Sequence, residues 1–195
     1  TEDNTVFFTE ENIKTALKST VSKFKLHARN PELDVSIGED DYICLPSGGA
    51  PNIATASGKQ RRATLEDYIT CCKLVHTSQQ LAMGGYIMVQ PNDVPADTSH
   101  LDMIANYLIY CDKPVFGASA SRQAVIDTLE MAGMVWEGKA NIRNKPVMAA
   151  VVNAMSPLQY SEEQTDVIIE MARYGQPVII TNMILAGASG PVSLP

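Results

Sequence analysis

The chain has 195 residues, of which 45% are hydrophobic and 19% charged, and its formal net charge is −7. That length and balance describe one globular unit with a sizeable core and exclude a disordered or fibrous chain. The acidic excess argues against a nucleic-acid partner, which needs a basic face, and no apolar run reaches the roughly 18–20 residues that a membrane span requires.

Taken in chain order, "TEENIKTALKST" reads as a short helix. "FKLHARNPELDVSIGEDD" reads as two extended segments turning at Asn30-Pro31 and Gly38-Glu39. Residues 1–40 are therefore expected to form a small α+β extension that covers one end of a sheet, and residues 41–195 the main unit. In that unit "YICLPSGG" is an apolar run ending in small residues. "KQRR", the densest basic run, reads as a solvated loop before a helix. The helix follows in "TLEDYITCCKLVHTSQQLA", with Leu65, Tyr68, Ile69, Cys72 and Val75 at helical spacing behind Thr64 as N-cap. "GGYIMVQPND" reads as a strand closed by Pro91, "SHLDMIANYLIYC" as a helix, "KPVFGASA" as a strand and "SRQAVIDTLEMAGM" as a helix. "NKPVMAAVVNAMSP" is the next strand. "SEEQTDVIIEMARYG" is a helix opened by a capping box, Ser161 with Gln164, and "QPVIITN" is the last strand. Pro114, Pro146 and Pro177 stand at strand beginnings, where a missing N–H costs least.

Continuous apolar strands alternating with helices over short connections indicate parallel strands covered by crossover helices, an α/β fold. About five β/α units fit, too few for a closed (β/α)8 TIM barrel of ~250 residues. The alternatives are an open parallel sheet or the N-terminal part of a barrel. The stop after a strand, with no closing helix, favours the partial barrel. The same ending, and a start at Thr1 without Met, read as the boundaries of a fragment. The four cysteines form no CxxC pair and read as reduced thiols of a cytoplasmic protein.

In parallel α/β folds chemistry collects beyond the carboxyl ends of the strands. Those ends read "SGGAPN", "QPND", "GASAS", "NAMSP" and "TNM…AGASG". Candidate substrate-binding residues there are Ser47, Asn52, Gln90, Asn92, Phe116, Ser119, Asn153, Ser156, Asn182 and Ser189. Singly, each is explained by turn or cap chemistry; as a set they predict a roomy, nearly neutral pocket. Phe116 and Tyr160 are the aromatics nearest the strand ends, with a packing role as the plainer reading of each. Asp93 is the one carboxylate close to a strand end, placed to cap a helix or to attract a cation. No phosphate-cradling GxxxxGK[ST] or GxGxxG motif and no HExxH zinc motif occurs. His27, His76 and His100 lie in unrelated units and read as surface or packing residues, so no metal site and no nucleophilic triad is expected. Lys113 and Lys145 precede strands, the wrong end for an aldolase-type lysine. No catalytic residue is assigned.

Three stretches, "FKLHARNPELDVSIG" leading into "SGGAPN", "NAMSPLQYSEEQ", and "YGQPVIITNMILAGASGPVSLP", resemble the trimethylamine methyltransferase superfamily, the corrinoid-dependent quaternary-amine methyltransferases. The resemblance runs over essentially the whole chain and covers only part of that family's usual length. It implies a (β/α)8 barrel that holds a methylated amine. A separate corrinoid (cobalamin) protein docks over its mouth, its Co(I) takes a methyl group, and the barrel binds no tight cofactor of its own. Founding members carry pyrrolysine at a position that would lie past Pro195; most others lack it and are similar to enzymes for glycine betaine, the type expected here. A carboxylate on such a substrate would be met by Ser47, Asn52, Asn153 and Ser189. A homo-oligomer is expected, since a partial barrel exposes strand edges and apolar helix faces. The alternative is a non-catalytic fragment that binds an amine or docks a corrinoid protein.

Overall fold

The computed structural model describes residues 5–46, 48–143, 145–155, 159–181, 187 and 192. It opens with α1, Glu10–Lys18, which buries none of its residues. Strands β1 (Lys23–Leu26) and β2 (Val35–Gly38) follow as an antiparallel pair, joined through a 3-10 turn at Pro31–Leu33. A second antiparallel pair, β3 (Asn52–Ala54) and β4 (Gln60–Arg62), stands on the surface. "KQRR" is thus an exposed hairpin strand and not a loop. It carries no apolar alternation that would mark it as one.

The remaining elements alternate. They are α2 (Leu65–Thr77), β5 (Gly84–Gly85), α3 (Ser99–Tyr110), β6 (Val115–Phe116), α4 (Arg122–Val135), a short α5 (Lys139–Arg143), β7 (Met148–Asn153), α6 (Glu162–Arg173) and β8 (Val178–Thr181). Local chemistry fixes the helix starts. Thr64 and Asp67 cap α2 reciprocally, as do Ser161 and Gln164 for α6, and the Ser121 hydroxyl caps α4. The Arg61 guanidinium beside Asp67 holds that carboxyl well below the usual carboxylate range.

Strands β5, β6, β7 and β8 form one parallel sheet in sequence order. Parallel bridges at Cys44–Leu81 and Ala50–Val89 set Cys44 and Ala50 beside the β5 segment, so a further chain segment flanks the row. Side chains alternate across this wall. Met148, Ala150 and Val152 of β7 enter the large core with Val115 of β6 and Val178 of β8, against Tyr68, Tyr107, Leu129 and Met171 of the helices. Ala149 of β7 turns to the other face, where Phe116 and Ile179 join Leu26 and Met83. Phe24, Val35 and Ile37 of the β1–β2 hairpin pack into this inner cluster. The chain leaving β1 then hydrogen bonds to the strand approaches, with His27 N–H donating to Pro146 O at 2.7 Å and Arg29 N–H to Asp112 O at 2.8 Å. The hairpin therefore closes the amino end of the inner face.

Two buried polar side chains tie the wall together. The Lys113 ammonium donates to the carbonyls of Val75, Ser78 and Leu81 at 2.5–2.8 Å, ending α2. The Gln176 amide is fully used: its oxygen accepts from Val147 and Met148 N–H, and its nitrogen donates to Ile142 and Tyr174 carbonyls. Among the described residues no helix is long and apolar enough to cross a membrane.

Candidate functional site

At the carboxyl end the inner face opens into a cavity of about 210 Å³. Its lining runs from Leu45, Pro46 and Gly48, through Gly84 to Met88, to Phe116, Val151, Ile179 and Thr181. None of these side chains carries a charge. They come from strands β5 to β8, from the turn after β5 and from the segment bridged to it, which is why the cavity sits where parallel α/β folds place ligands.

The wall between residues 84 and 88 departs from the expected continuous strand. Ladder pairing ends at Gly85, and Tyr86 to Met88 form a turn in which Ile87 has φ +60°. The cause is close backbone approach. Gly85 has φ +140°, and a Cβ on it would lie 2.3 Å from the Phe116 carbonyl oxygen. Tyrosines on the helices hold this glycine pair from behind. The Tyr68 hydroxyl donates to Gly85 O at 2.7 Å; the Tyr107 hydroxyl accepts from Gly84 N–H at 2.9 Å and donates to Pro114 O at 2.9 Å. Burial raises both phenols well above their ordinary pKa, so they stay neutral props. The turn brings Tyr86 into the cavity lining, which Phe116 shares, and burial raises the Tyr86 phenol.

Of the residues singled out in the sequence, Phe116 lines the cavity. Ser47, Ser156, Asn182 and Ser189 lie outside the described residues. Asn52 is on the exposed β3–β4 hairpin. The Gln90 amide bonds to Pro91 O at 3.2 Å and the Ser99 hydroxyl at 3.5 Å. The Asn92 amide is taken up by three carbonyls, of Pro51, Ala63 and Gln90. Ser119 is half-buried outside the lining. Asn153 ends β7, where its side-chain oxygen accepts from the Thr181 hydroxyl and its carbonyl from Gln164. Tyr160 is exposed, away from the cavity. Asp93 caps: its carboxylate accepts the Leu65 N–H at 2.8 Å. His27 and His100 pair with Asp34 and Asp127, and His76 accepts the Asp112 N–H. Among the described residues no cluster of His, Cys, Asp or Glu could hold a metal ion, and all four cysteines are free. Burial pushes the Cys72 thiol up to about 12, which leaves it a packing residue. Sequence reasoning missed Tyr86 and Ile87. The available signal was the Gly-Gly pair before them, which marks close backbone approach.

A family model described as trimethylamine methyltransferase (MTTB) matches residues 1–195, the whole chain. The chain belongs to the trimethylamine methyltransferase family. Among curated relatives it is 36% identical over 193 residues to the glycine betaine methyltransferase of Desulfitobacterium hafniense (strain Y51), covering 99% of this chain and 40% of that protein. It is 26% identical over 184 residues to the trimethylamine methyltransferase MttB of Desulfitobacterium hafniense (strain DSM 10664 / DCB-2), covering 93% of this chain and 37% of that protein. It is 23% identical over 206 residues to the L-carnitine:corrinoid methyltransferase of Eubacterium limosum, covering 99% of this chain and 41% of that protein. The chain thus spans about 40% of the length of these members of the trimethylamine methyltransferase family.

Proposed function

We propose that this chain is the N-terminal part of a (β/α)8 barrel, and that the full-length protein moves a methyl group from a quaternary or tertiary methylamine, glycine betaine-like, to a cytoplasmic corrinoid protein. Strictly sequential strand order with the α2–α6 helices on one face supports a barrel wall over a doubly wound sheet, in which strand order reverses and helices cover both faces. The observation that carries the functional reading is the uncharged, aromatic-bearing cavity at the carboxyl end of that wall.

A quaternary ammonium has no N–H to donate. It is recognised by aromatic rings and diffuse negative potential, worth ~0.5–2 kcal/mol per cation–π contact. Tyr86 and Phe116 supply two rings, and a neutral lining leaves no cation to repel the substrate. The Thr181 hydroxyl is a further polar group in the lining. Ser47, Asn52, Gln90, Asn92, Ser119, Asn153, Ser156, Asn182 and Ser189 remain candidates for contact with the rest of the substrate or with the docked protein. The cavity suits a small amine and is far smaller than a corrinoid macrocycle. A corrinoid would therefore act from outside, on its own carrier. The reduced corrinoid supplies the nucleophile that accepts the methyl carbon. From a quaternary ammonium, or a tertiary amine in its protonated ammonium form, the C–N electron pair stays on nitrogen, which leaves as a neutral amine, so no general base is needed. What this chain contributes is orientation and exclusion of water.

The test uses the full-length protein, a reduced corrinoid carrier protein and a panel of trimethylamine, glycine betaine and carnitine, with demethylation followed by NMR. Loss of one methyl group from at least one amine is expected. No demethylation and no amine binding across the panel overturns the reading.

A further inference from the structure

We propose that Ile87 is a specificity-determining residue, held in a strained backbone so that its side chain sets the width of the amine site; this rests on the functional reading above. Three observations meet at this residue. The first is conformational. Ile87 has φ +60°, a region a β-branched residue enters only when its surroundings impose it, and one that glycine enters freely. A fold that needed only the turn would be served better by glycine. What isoleucine adds is a side chain, and Ile87 is one of the residues that line the cavity, its Cγ2 3.9 Å from where a Cβ on Gly48 of the same lining would stand.

The second is register. The segment from Cys44 to Ala50 spans six residue steps, and its neighbour from Leu81 to Val89 spans eight between the same two bridges. Two extra residues are therefore accommodated beside the cavity mouth, and Tyr86 to Met88 are where the chain turns to take them up. Bulges of this kind re-aim side chains next to functional sites.

The third is that the turn is held from both sides. Tyr86 N–H donates to Phe116 O at 2.7 Å, Gly49 N–H to Ile87 O at 2.7 Å, and Gln90 N–H to Ala50 O at 2.9 Å. A Cβ on Gly48 would lie 3.2 Å from the Ile87 carbonyl oxygen, so Gly48 of the neighbouring segment fits closely against the turn. An unfavourable conformation clamped by three backbone bonds, at a residue in the lining of a neutral cavity, assigns Ile87 to shaping the ligand's space.

Wild-type, Ile87→Gly and Ile87→Val full-length proteins are compared by thermal melting and by calorimetry with tetramethylammonium and the bulkier tetraethylammonium. Ile87→Gly is expected to melt at or above the wild-type temperature while its preference for tetramethylammonium over tetraethylammonium falls about tenfold or more. Ile87→Val, which keeps the β-branch, is expected to stay within about threefold of the wild-type preference. An unchanged preference in Ile87→Gly overturns the inference and leaves the functional reading intact. A lowered melting temperature with both ligands weakened alike also overturns it, because a structural role would then account for the loss. A wild-type protein that binds neither ion overturns this inference, and overturns the functional reading as well if it neither binds nor demethylates any amine of the panel above.

Discussion

Tyr86 and Phe116 approach the cavity by different routes. Phe116 arrives on a regular strand whose preceding residue, Val115, is buried among the helices. Tyr86 arrives on a turn that begins where the ladder stops. Replacing either ring by leucine keeps apolar bulk and removes the π face. Each change is expected to weaken binding of a quaternary ammonium by ~0.5–2 kcal/mol, roughly 2- to 30-fold. Calorimetry on the full-length variants measures this, and an unchanged affinity in both would remove cation–π recognition from the proposal. The pH dependence follows from the same residues. The Tyr86 phenol titrates above its ordinary value and no other described lining side chain ionises. Amine affinity should therefore be flat from about pH 6 to about pH 9, a range that lies below the ordinary tyrosine value of about 10. Phe116 was visible in the sequence because "KPVF" starts a strand at a proline. Tyr86 was not, because an apolar run containing Tyr, Ile, Met and Val reads as continuous strand whichever way the backbone turns.

Elements in this fold were legible to the degree that they announce their own boundaries. Helices α2, α4 and α6 carry hydroxyl N-caps and apolar residues at helical spacing, and each appears where those signals place it. Strand starts at Pro114, Pro146 and Pro177 were legible for the same local reason. The β3–β4 hairpin was not, because its strands are only three residues long and β4 is polar and solvated; its one cue is the Ser57-Gly58 turn. Nor was the role of Gln176, whose four partners come from α5, the start of β7 and the end of α6 and so exist only in the folded chain. Gln176→Met keeps the volume and removes all four bonds, leaving buried backbone groups without partners. We expect a loss of at least about 2 kcal/mol, read from the urea midpoint. An unchanged midpoint would show that these groups find other partners.

Among the described residues the sheet is a wall with β8 at one edge and the segment bridged to β5 at the other. Leu74 is 61% exposed by the groove between α2 and residues 46–54, and at the other end Ile180 of β8 is 59% exposed. Phe8 of the N-terminal segment is 71% exposed, and Leu17 of α1 is exposed as well. Isolated apolar side chains on a surface are ordinary, but strand edges flanked by them invite association. The 195-residue chain studied alone is therefore expected to self-associate in sedimentation at micromolar concentration, and a clean monomer would contradict this. The α/β class and the sequential winding could be read from the alternation of strand and helix. Which helices share a face could not, since that depends on contacts between distant segments.

The β1–β2 hairpin stoppers one end of the inner face, where Phe24, Val35 and Ile37 meet Leu26, Met83 and Ala149. In the proposed barrel, a chamber stoppered at its base has its doorway at the carboxyl end. If the methyl group is handed over at that doorway, the spent amine would have to back out the way its precursor came in, and could not do so while the acceptor protein stands in the threshold. Turnover would then proceed by alternating visits: the amine enters, the acceptor calls and departs, and the demethylated amine follows it out.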